Sequence, residues 1–224
     1  MITSLNPRAE MALDRFALDP YCKLYLPLYK LDGDSFADRS AYGHLCINHG
    51  STWTPQGRSF DGVDDYVDCG NNASLDITDA ITLEVWAKRM SIGEYQRIVS
   101  KGTDKTWQID TASSGRHIRL VVLNPAGAAF IVFTTTAELP TEWTHIVATY
   151  NHQIAKVCFN ADEAGSQAGT DSIRVTTYKL GIGISDPDDR YYYFNGLISS
   201  VLIYSRALTP QEILEHYIVG RELF

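Results

Sequence analysis

The sequence predicts an all-β fold, a sandwich of two antiparallel sheets with a short helix at each end. Short runs of alternating apolar residues follow one another along the chain, and turn residues separate them. The regular exchange of strands and helices that builds a parallel sheet does not occur. A hydrophobic fraction of 45% and a charged fraction of 21% are typical of a folded core.

The first element is a helix predicted over residues 7–18. Asn6 is a suitable N-cap and Pro7 suits the first helical position. An apolar stripe follows at helical spacing, formed by Ala9, Leu13, Phe16 and Ala17. We therefore expect residues 1–20 to form an N-terminal helical arm, which either packs on its own domain or joins a second copy into a homo-oligomer.

From residue 21 onward the periodicity becomes that of strands, starting with the alternating Leu24, Leu26 and Leu28. A turn is expected at 31–34. Further strands are predicted at 59–63, 66–69, 81–88, 97–101, 107–110, 117–123, 128–134, 145–150, 155–160, 178–184 and 196–204. No linker or internal repeat interrupts them, so residues 21–224 are predicted to be one domain.

The last element is a second predicted helix, which begins after Thr209. Thr209 as N-cap, Pro210 at the first position and Glu212 at the third form a capping-box pattern. Gly220 is the expected end of the helix. A helix this short is stable only when it packs on the rest of the domain.

Charge and hydropathy exclude several classes of partner. The net charge of −8 and the lack of a Lys/Arg cluster argue against nucleic acid. No apolar stretch is long enough to span a membrane. Charged residues interrupt the first twenty positions, so we expect no signal peptide and synthesis in the cytoplasm. The final location stays open and includes a virion or another large assembly.

The four cysteines, Cys22, Cys46, Cys69 and Cys158, form no CxxC pair. This spacing argues against a zinc site or a thioredoxin-like motif. Four cysteines allow three disulfide pairings. Because no export signal is expected, free thiols are predicted.

Six segments, taken in order, resemble the laminin-G-like and concanavalin A-like lectin/glucanase jelly-roll superfamily. They are SFDGVDDYV (59–67), ITLEVWAK (81–88), IVSKG (98–102), WTHIVATY (143–150), FNGLI (194–198) and VLIYSRALT (201–209). The stretch 31–43 resembles the opening loop of that family. The resemblance implies a concanavalin A-like jelly roll over residues 21–224.

The function that this resemblance implies is a lectin-like binding or adhesion module that recognises carbohydrate or a protein surface. The same fold carries several functions, so it does not decide among them. One alternative is a structural or decoration protein of a virus, a phage or another large assembly. A second alternative is an atypical glycoside hydrolase.

No catalytic residue is predicted. Glycoside hydrolysis needs two carboxylates about 5–9.5 Å apart across the scissile bond. Relatives that are hydrolases carry several on one strand, whereas the run 81–88 offers Glu84 alone. We therefore expect Glu84 to be a structural, hydrogen-bonded carboxylate. His145 is likewise expected to be a satisfied sheet residue.

The best candidate ligand patch is the segment 186–193. Its predicted binding residues are Asp186, Asp188, Tyr191 and Tyr192, with Trp107 as a companion. Aromatic rings stack on sugar rings, and carboxylates accept hydrogen bonds from hydroxyls. The alternative interpretation is a solvated hairpin turn with partly buried tyrosines.

Calcium is the only cofactor that the resemblance suggests, with Asp38 and a backbone oxygen near Gly43 as metal ligands. Relatives add an acidic residue where this chain has Ser199, which weakens that expectation. A second acidic group also stands out, comprising Asp61, Asp64, Asp65 and Asp68. Strand alternation is expected to split this group between two faces.

Overall fold

The computed structural model describes residues 7–30 and 35–224, and these form two antiparallel sheets with two helices and two short 3₁₀ turns. The helices are α1 (Pro7–Phe16) and α2 (Pro210–Gly220), and the 3₁₀ turns are η1 (Ala73–Leu75) and η2 (Arg221–Leu223). The two-sheet antiparallel sandwich predicted from the sequence is confirmed.

Sixteen strands build the two sheets within the described residues. They are β1 (Cys22–Pro27), β2 (Ser35–Ala37), β3 (Leu45–His49), β4 (Thr52–Thr54), β5 (Gly57–Asp61), β6 (Tyr66–Asp68), β7 (Ile81–Arg89), β8 (Arg97–Lys101), β9 (Trp107–Thr111), β10 (Ile118–Leu123), β11 (Ala129–Thr134), β12 (Thr144–Tyr150), β13 (Ile154–Phe159), β14 (Asp162–Ala168), β15 (Leu180–Ile182) and β16 (Asn195–Tyr204).

Sheet I runs in the order β14-β13-β12-β7-β16-β5-β4, and β1 also pairs with β16. Sheet II runs in the order β11-β10-β9-β8-β15-β6-β3-β2. Neighbours in each sheet are often far apart in the sequence, as the pairing of β7 with β16 shows. Such long-range pairing is typical of a jelly roll.

The main core lies between the two sheets. Alternation along β7 places Leu83, Val85 and Ala87 in this core. The intervening residues, Glu84 and Trp86, lie on the opposite face of sheet I and are also buried. Both faces of sheet I are therefore covered.

The two helices cover the outer face of sheet I. Leu13 of α1 and Ala17, which follows that helix, belong to a second apolar cluster. The same cluster contains Ile213 of α2 and Leu202 and Tyr204 of β16. Residues 11–20 are therefore part of the packing of this domain. Of the two arrangements expected for the N-terminal arm, this is packing on its own domain. Burial of an amphipathic stripe is the reason, since a short helix gains its stability that way.

The capping box predicted at the start of α2 is confirmed. The hydroxyl of Thr209 accepts a hydrogen bond from the amide of Glu212, and the Glu212 carboxylate accepts one from the amide of Thr209. Helix α1 ends at Phe16, two residues before the predicted end. The expected N-cap Asn6 and the turn at 31–34 lie outside the described residues.

All four cysteines are buried free thiols in the structure. The register between β3 and β6 places Cys46 and Cys69 next to each other, since Ile47 is opposite Asp68. Burial raises the pKa of the Cys69 thiol well above its usual value, and a hydrogen bond with Cys46 adds to this. Among the described residues, no helix has the length and apolar character needed to cross a membrane.

Candidate functional site

The outer face of sheet II carries charged residues on three neighbouring strands. Arg97 of β8 lies opposite Asp110 of β9, which lies opposite Arg119 of β10. Because side chains alternate between faces, these three point away from the core that Ile109 and Leu120 enter. Even so, Arg97 is 1% exposed and Asp110 is fully buried. Arg97 and Asp110 are thus buried on the outer face of sheet II, away from the main core between the sheets.

Asp110 is the centre of this arginine–aspartate cluster. Arg119 donates to both of its oxygens, from Nε to Oδ1 at 2.9 Å and from Nη2 to Oδ2 at 2.8 Å. Arg97 donates to Oδ2 from Nη1. Paired hydrogen bonds of this kind fix a guanidinium in one orientation. Asp110 therefore holds both arginines in place.

The cluster reaches the surface at Asp104. The carboxylate of Asp104 accepts hydrogen bonds from Arg97 at 3.3 Å and from Gln108 at 2.7 Å. Gln108 also donates to Asp110 at 2.7 Å. Two arginines and two aspartates balance in charge. Burial lowers the pKa of Arg97 to about 10, and Asp104 opposes that shift, so Arg97 keeps its charge at neutral pH.

Above the cluster lies a group of tyrosines that we call the tyrosine platform, formed by Tyr95, Tyr191 and Tyr192. The Arg97 guanidinium lies 4.9 Å from the ring of Tyr192, and that of Arg119 lies 4.9 Å from the ring of Tyr95. The centroids of the Tyr95 and Tyr192 rings are 5.9 Å apart in an edge-on contact. Each cation contact fixes a ring from below.

Two residues of the tyrosine platform have a strained backbone. Tyr95 has φ of 55° and Tyr192 has φ of 59°, in the left-handed region that bulky residues rarely adopt. Asp104, in the adjacent loop, has φ of 48°. Such conformations cost about 1–3 kcal/mol each and are concentrated at functional sites. The amide of Arg97 donates to the carbonyl of Tyr192 at 2.9 Å, which ties the strained loop to β8.

The structure separates the predicted ligand residues by role. Tyr191 and Tyr192 are 60% and 45% exposed and belong to the tyrosine platform. Asp188 is exposed and pairs with Lys179 at 2.8 Å. Asp186 is buried and accepts a hydrogen bond from the amide of Asp188 at 2.9 Å, so it shapes the turn. Burial raises the pKa of the Asp186 carboxyl.

Trp107 does not join this group, and its prediction as a companion residue is wrong. Its side chain is fully buried in the core between the sheets. The alternation in β9 explains this, because Trp107 and Ile109 share the core face while Gln108 and Asp110 share the outer face. A ligand at the surface cannot reach Trp107.

Sequence reasoning missed Tyr95 and the arginine–aspartate cluster. One signal was present in the sequence, since alternation in the run 107–111 puts Gln108 and Asp110 on the face opposite to apolar neighbours. The matching arginines lie on other strands. Only the strand register brings Arg97 and Arg119 to Asp110.

The residues predicted for calcium do not fit that ion. The carboxylate of Asp38 accepts hydrogen bonds from the amides of Tyr25, Ser40 and His44, from the Ser40 hydroxyl and from His44 Nδ1. Although burial raises the pKa of Asp38, the bonds from His44 and Ser40 bring it below its usual value. Calcium needs several oxygen ligands, whereas Asp38 is surrounded by donors. Gly43 has φ of 59° and serves the turn between Asp38 and His44.

A second acidic group was expected to be split between faces, and this expectation is wrong for three of its members. The ligand oxygens of Asp61, Asp64 and Asp65 lie within 4.8 Å of one another. The turn after β5 brings them together, because Asp61 accepts hydrogen bonds from the amides of Val63 and Asp64. These hydrogen bonds within the turn explain why the three carboxylates lie close together.

Glu84 has the structural role that the sequence predicted. It is fully buried on the outer face of sheet I. His145 of β12 donates from Nε2 to Oε1 at 2.8 Å, and His216 of α2 donates from Nδ1 to Oε2 at 2.8 Å. Phe16 of α1 stacks on His216 with centroids 3.6 Å apart. Glu84 therefore links the sheet to both helices and is closed to a substrate.

This link predicts a stability that falls at alkaline pH. Burial lowers the pKa of His216, but the Glu84 charge outweighs this and raises it above the usual 6.5. The stabilisation from His216 is then complete below pH 6.5 and is lost as the pH rises through the raised pKa. Burial alone raises the pKa of Glu84, but the His216 charge and the histidine hydrogen bonds hold it well below 4.5. Its contribution is complete above pH 4.5 and is lost only in strong acid.

We expect the melting temperature to decrease as the pH is raised from 6.5 to 9. His216→Asn should flatten this decrease, because the titrating ring is gone. His117→Gln, which removes a histidine far from Glu84 in the sequence, should keep the wild-type slope. Thermal denaturation followed by circular dichroism measures the melting temperature of each protein at each pH, and hence the slope. Equal slopes in all three proteins would contradict the assignment.

The comparison with protein families agrees with this architecture. Residues 61–214 match the family model of the concanavalin A-like lectin/glucanases superfamily, Laminin G 3. Among curated proteins, none matches the sequence.

Solved structures show the same fold at low sequence identity. A structure of botulinum neurotoxin type C, whose cell entry depends on two ganglioside molecules, has a TM-score of 0.72 and 12% identity over 92% of this chain and 53% of that one. The binding domain of botulinum neurotoxin DC in complex with SialylT has a TM-score of 0.70 and 13% identity over 89% and 51%. This chain thus spans about half of each toxin chain.

A third structure matches along nearly its whole length. Domain 4 of AbnA, a GH43 extracellular arabinanase from Geobacillus stearothermophilus, in complex with arabinotriose, has a TM-score of 0.66 and 15% identity over 88% of this chain and 98% of that one. At such identities these likenesses show the fold alone. The family model covers well over half of the chain, and the chain therefore belongs to the concanavalin A-like lectin/glucanases superfamily.

Proposed function

We propose that this protein is a carbohydrate-binding module and that the tyrosine platform is its binding surface. The observation that carries the proposal is the fixed placement of Tyr95 and Tyr192, both strained, above the buried arginine–aspartate cluster. Exposed aromatic rings stack on the apolar faces of sugar rings. The platform offers the exposed ring of Tyr192 in a fixed orientation, next to the half-buried ring of Tyr95.

Preorganisation is the energetic advantage of this arrangement. A ligand that orders flexible side chains loses about 0.5–1.5 kcal/mol for each one that it fixes. Here the arginines and the turn hold the rings before any ligand arrives. Asp104, which is bonded to Arg97 beneath Tyr192, and Asp188, three residues before Tyr191 in the sequence, are both exposed and offer carboxylate oxygens to hydroxyls. Stacking and polar recognition are thus combined on one face.

The comparisons support a sugar ligand and do not name one. The AbnA domain was solved with arabinotriose, and a toxin binding domain was solved with SialylT. The balanced charge of the arginine–aspartate cluster gives no excess positive charge for an acidic sugar. Neutral oligosaccharides are accordingly the first ligands to test.

The proposed module does not hydrolyse glycosides. Both oxygens of Glu84 are bonded to histidines, and the side chain is buried beneath the helices. Asp110 is bonded to two arginines and is likewise closed. Neither residue can act as the acid or the nucleophile that hydrolysis needs.

Tyr192→Ala should weaken sugar binding about tenfold, because a stacked aromatic ring is a frequent hot spot. Tyr21→Ala is the matched control, since Tyr21 is similarly exposed but follows α1 on the other side of the molecule. A glycan array identifies a neutral ligand, and isothermal titration calorimetry then measures Kd for both variants. Two results would count against the proposal: no bound glycan at millimolar concentration, or equal affinities for the two variants.

A further inference from the structure

Outside the tyrosine platform, Asp38 and His44 of one segment form a hydrogen-bonded chain with Ser74, thirty residues further along the sequence. His44 Nδ1 lies 2.6 Å from Oδ2 of Asp38, and His44 Nε2 lies 2.6 Å from Oγ of Ser74. Asp38 and His44 are buried, and Ser74, in η1, is half-buried. An acid, an imidazole and a hydroxyl in this order are the arrangement that activates a serine.

The hydrogen-bond partners fix the tautomer of His44. The Asp38 carboxylate can only accept, so His44 Nδ1 carries the proton and donates it to Oδ2. Nε2 is then free to accept, and the hydroxyl of Ser74 has two acceptors within reach, this nitrogen at 2.6 Å and Oδ1 of Asn72 at 3.1 Å. The amides of Tyr25 and Ser40 donate to the other oxygen of Asp38 and hold the carboxylate still. Asp38 and His44 thus have the orientation that proton removal from Ser74 requires, with the Ser74 hydroxyl turned from Asn72 to His44.

Ser74 opens onto a cleft of about 350 Å³. Lys23, Asp76, Asp79 and Ser205 also line it. Lys23 is bonded to the hydroxyl of Tyr42, whose ring is nearly parallel to that of His44 at 5.9 Å between centroids. The two aspartates disfavour an anionic molecule, whereas the Lys23 ammonium offers one positive charge. The cleft is therefore suited to a small neutral molecule, with Lys23 as the cationic residue of its lining.

We propose that Ser74 is the nucleophile of a slow esterase site that takes small neutral acyl esters. Oγ of Ser74 forms a bond to the carbonyl carbon while its proton passes to Nε2 of His44. The bond from that carbon to the alcohol oxygen then breaks, and the alcohol leaves with the proton. A water molecule then attacks the carbonyl carbon of the acyl-serine while His44 takes a proton from it. The bond between that carbon and Oγ of Ser74 breaks, His44 returns the proton to Oγ, and the carboxylic acid leaves.

The local backbone explains why the site is slow. The amide of Ser74 donates to the side chain of Asn72, and the amides of Leu75 and Asp76 donate to carbonyls of the same turn. These amides are therefore not directed at a substrate oxygen. Lys23 takes over the stabilisation of the oxyanion as a single charge. Removing one oxyanion donor typically costs about 10²–10³ in rate, so both acylation and deacylation are slow at a site with one charge.

The experiment uses the full chain with p-nitrophenyl acetate. Release of p-nitrophenolate is followed at pH 7.5, and the acetylated residue is located by peptide mass spectrometry. Ser74→Ala should abolish the acetyl group at this position and lower the release about a hundredfold, and His44→Gln should lower it by a similar factor. Ser113→Ala removes an exposed serine with no role in the chain of three residues and should match the wild type.

Circular dichroism establishes that Ser74→Ala is folded, which is expected because it removes one oxygen atom. If His44→Gln does not fold, Ser74→Ala decides alone. Unchanged release in Ser74→Ala, or acetyl groups on lysines only, would overturn the proposal. Sugar binding at the tyrosine platform is measured separately and is not affected by either result.

Discussion

Glu84→Gln should lower the free energy of unfolding by about 3–5 kcal/mol, the usual cost of removing one partner from a buried ion pair. The glutamine amide has a single acceptor oxygen, whereas two histidines donate to the two oxygens of Glu84. One imidazole then loses its partner beneath the helices. For a chain of this size the melting temperature should drop by about 10 °C. Urea denaturation and calorimetry measure the two quantities.

Glu142→Gln is the matched control for this substitution. The Glu142 side chain is 83% exposed and pairs with Lys88 at 3.4 Å, and surface pairs contribute only about 0–1 kcal/mol. Combining Glu84→Gln with His216→Asn in a double-mutant cycle isolates the link between sheet and helix. A coupling energy near zero, or a loss from Glu84→Gln no larger than that from Glu142→Gln, would show that the link is unimportant.

The parts of the fold that local pattern determines could be predicted from the sequence. Strand β7 is central and alternates cleanly, so its two faces can be predicted from the sequence. The start of α2 could also be predicted, because the capping box at Thr209 needs only four consecutive residues. The structural role of Glu84 followed from the lack of a second carboxylate in the same strand.

Strand β14 shows where local pattern fails. Its sequence, DEAGSQA, has few residues that favour strands. It forms because Asn160 and Ala161 both adopt positive φ and make a two-residue hairpin after β13. Alanine gives no sign of that conformation. The pairing with β13, and not the propensity of the segment, makes it a strand.

The candidate site depends on strand register even more strongly. A register shift between Arg97 and Val99 in β8 sets which residue of that strand faces Asp110. Periodicity reports the face of a residue but not its neighbour on the next strand. The left-handed conformations of Tyr95 and Tyr192 were also hidden, because tyrosine normally avoids them. The sequence could therefore indicate that Tyr191 and Tyr192 are exposed aromatic residues. It could not indicate the arginine–aspartate cluster that lies beneath them.

The arginine–aspartate cluster beneath the tyrosines gives the second large effect that we expect on stability. Asp110→Asn should lower the free energy of unfolding by about 3–5 kcal/mol, because it leaves two guanidiniums without their shared negative charge. The buried Arg97 is affected most, since its other acidic partner, Asp104, is half exposed at 3.3 Å. Asp162→Asn, at the exposed start of β14, is the matched control and should change stability by less than about 0.5 kcal/mol. Urea denaturation compares the two.

Asp110→Asn also tests whether the arginine–aspartate cluster serves the tyrosine platform. The asparagine side chain has one acceptor oxygen, so it can accept from one arginine but not from both. Arg97 and Arg119 should therefore lose their fixed places beneath Tyr192 and Tyr95. Sugar binding should weaken at 10 °C, where the variant is still folded, by at least the factor that Tyr192→Ala causes. If affinity at that temperature equals the wild-type value while stability falls, the cluster supports only the fold. The two tyrosines would then owe their strained conformations to the loop alone.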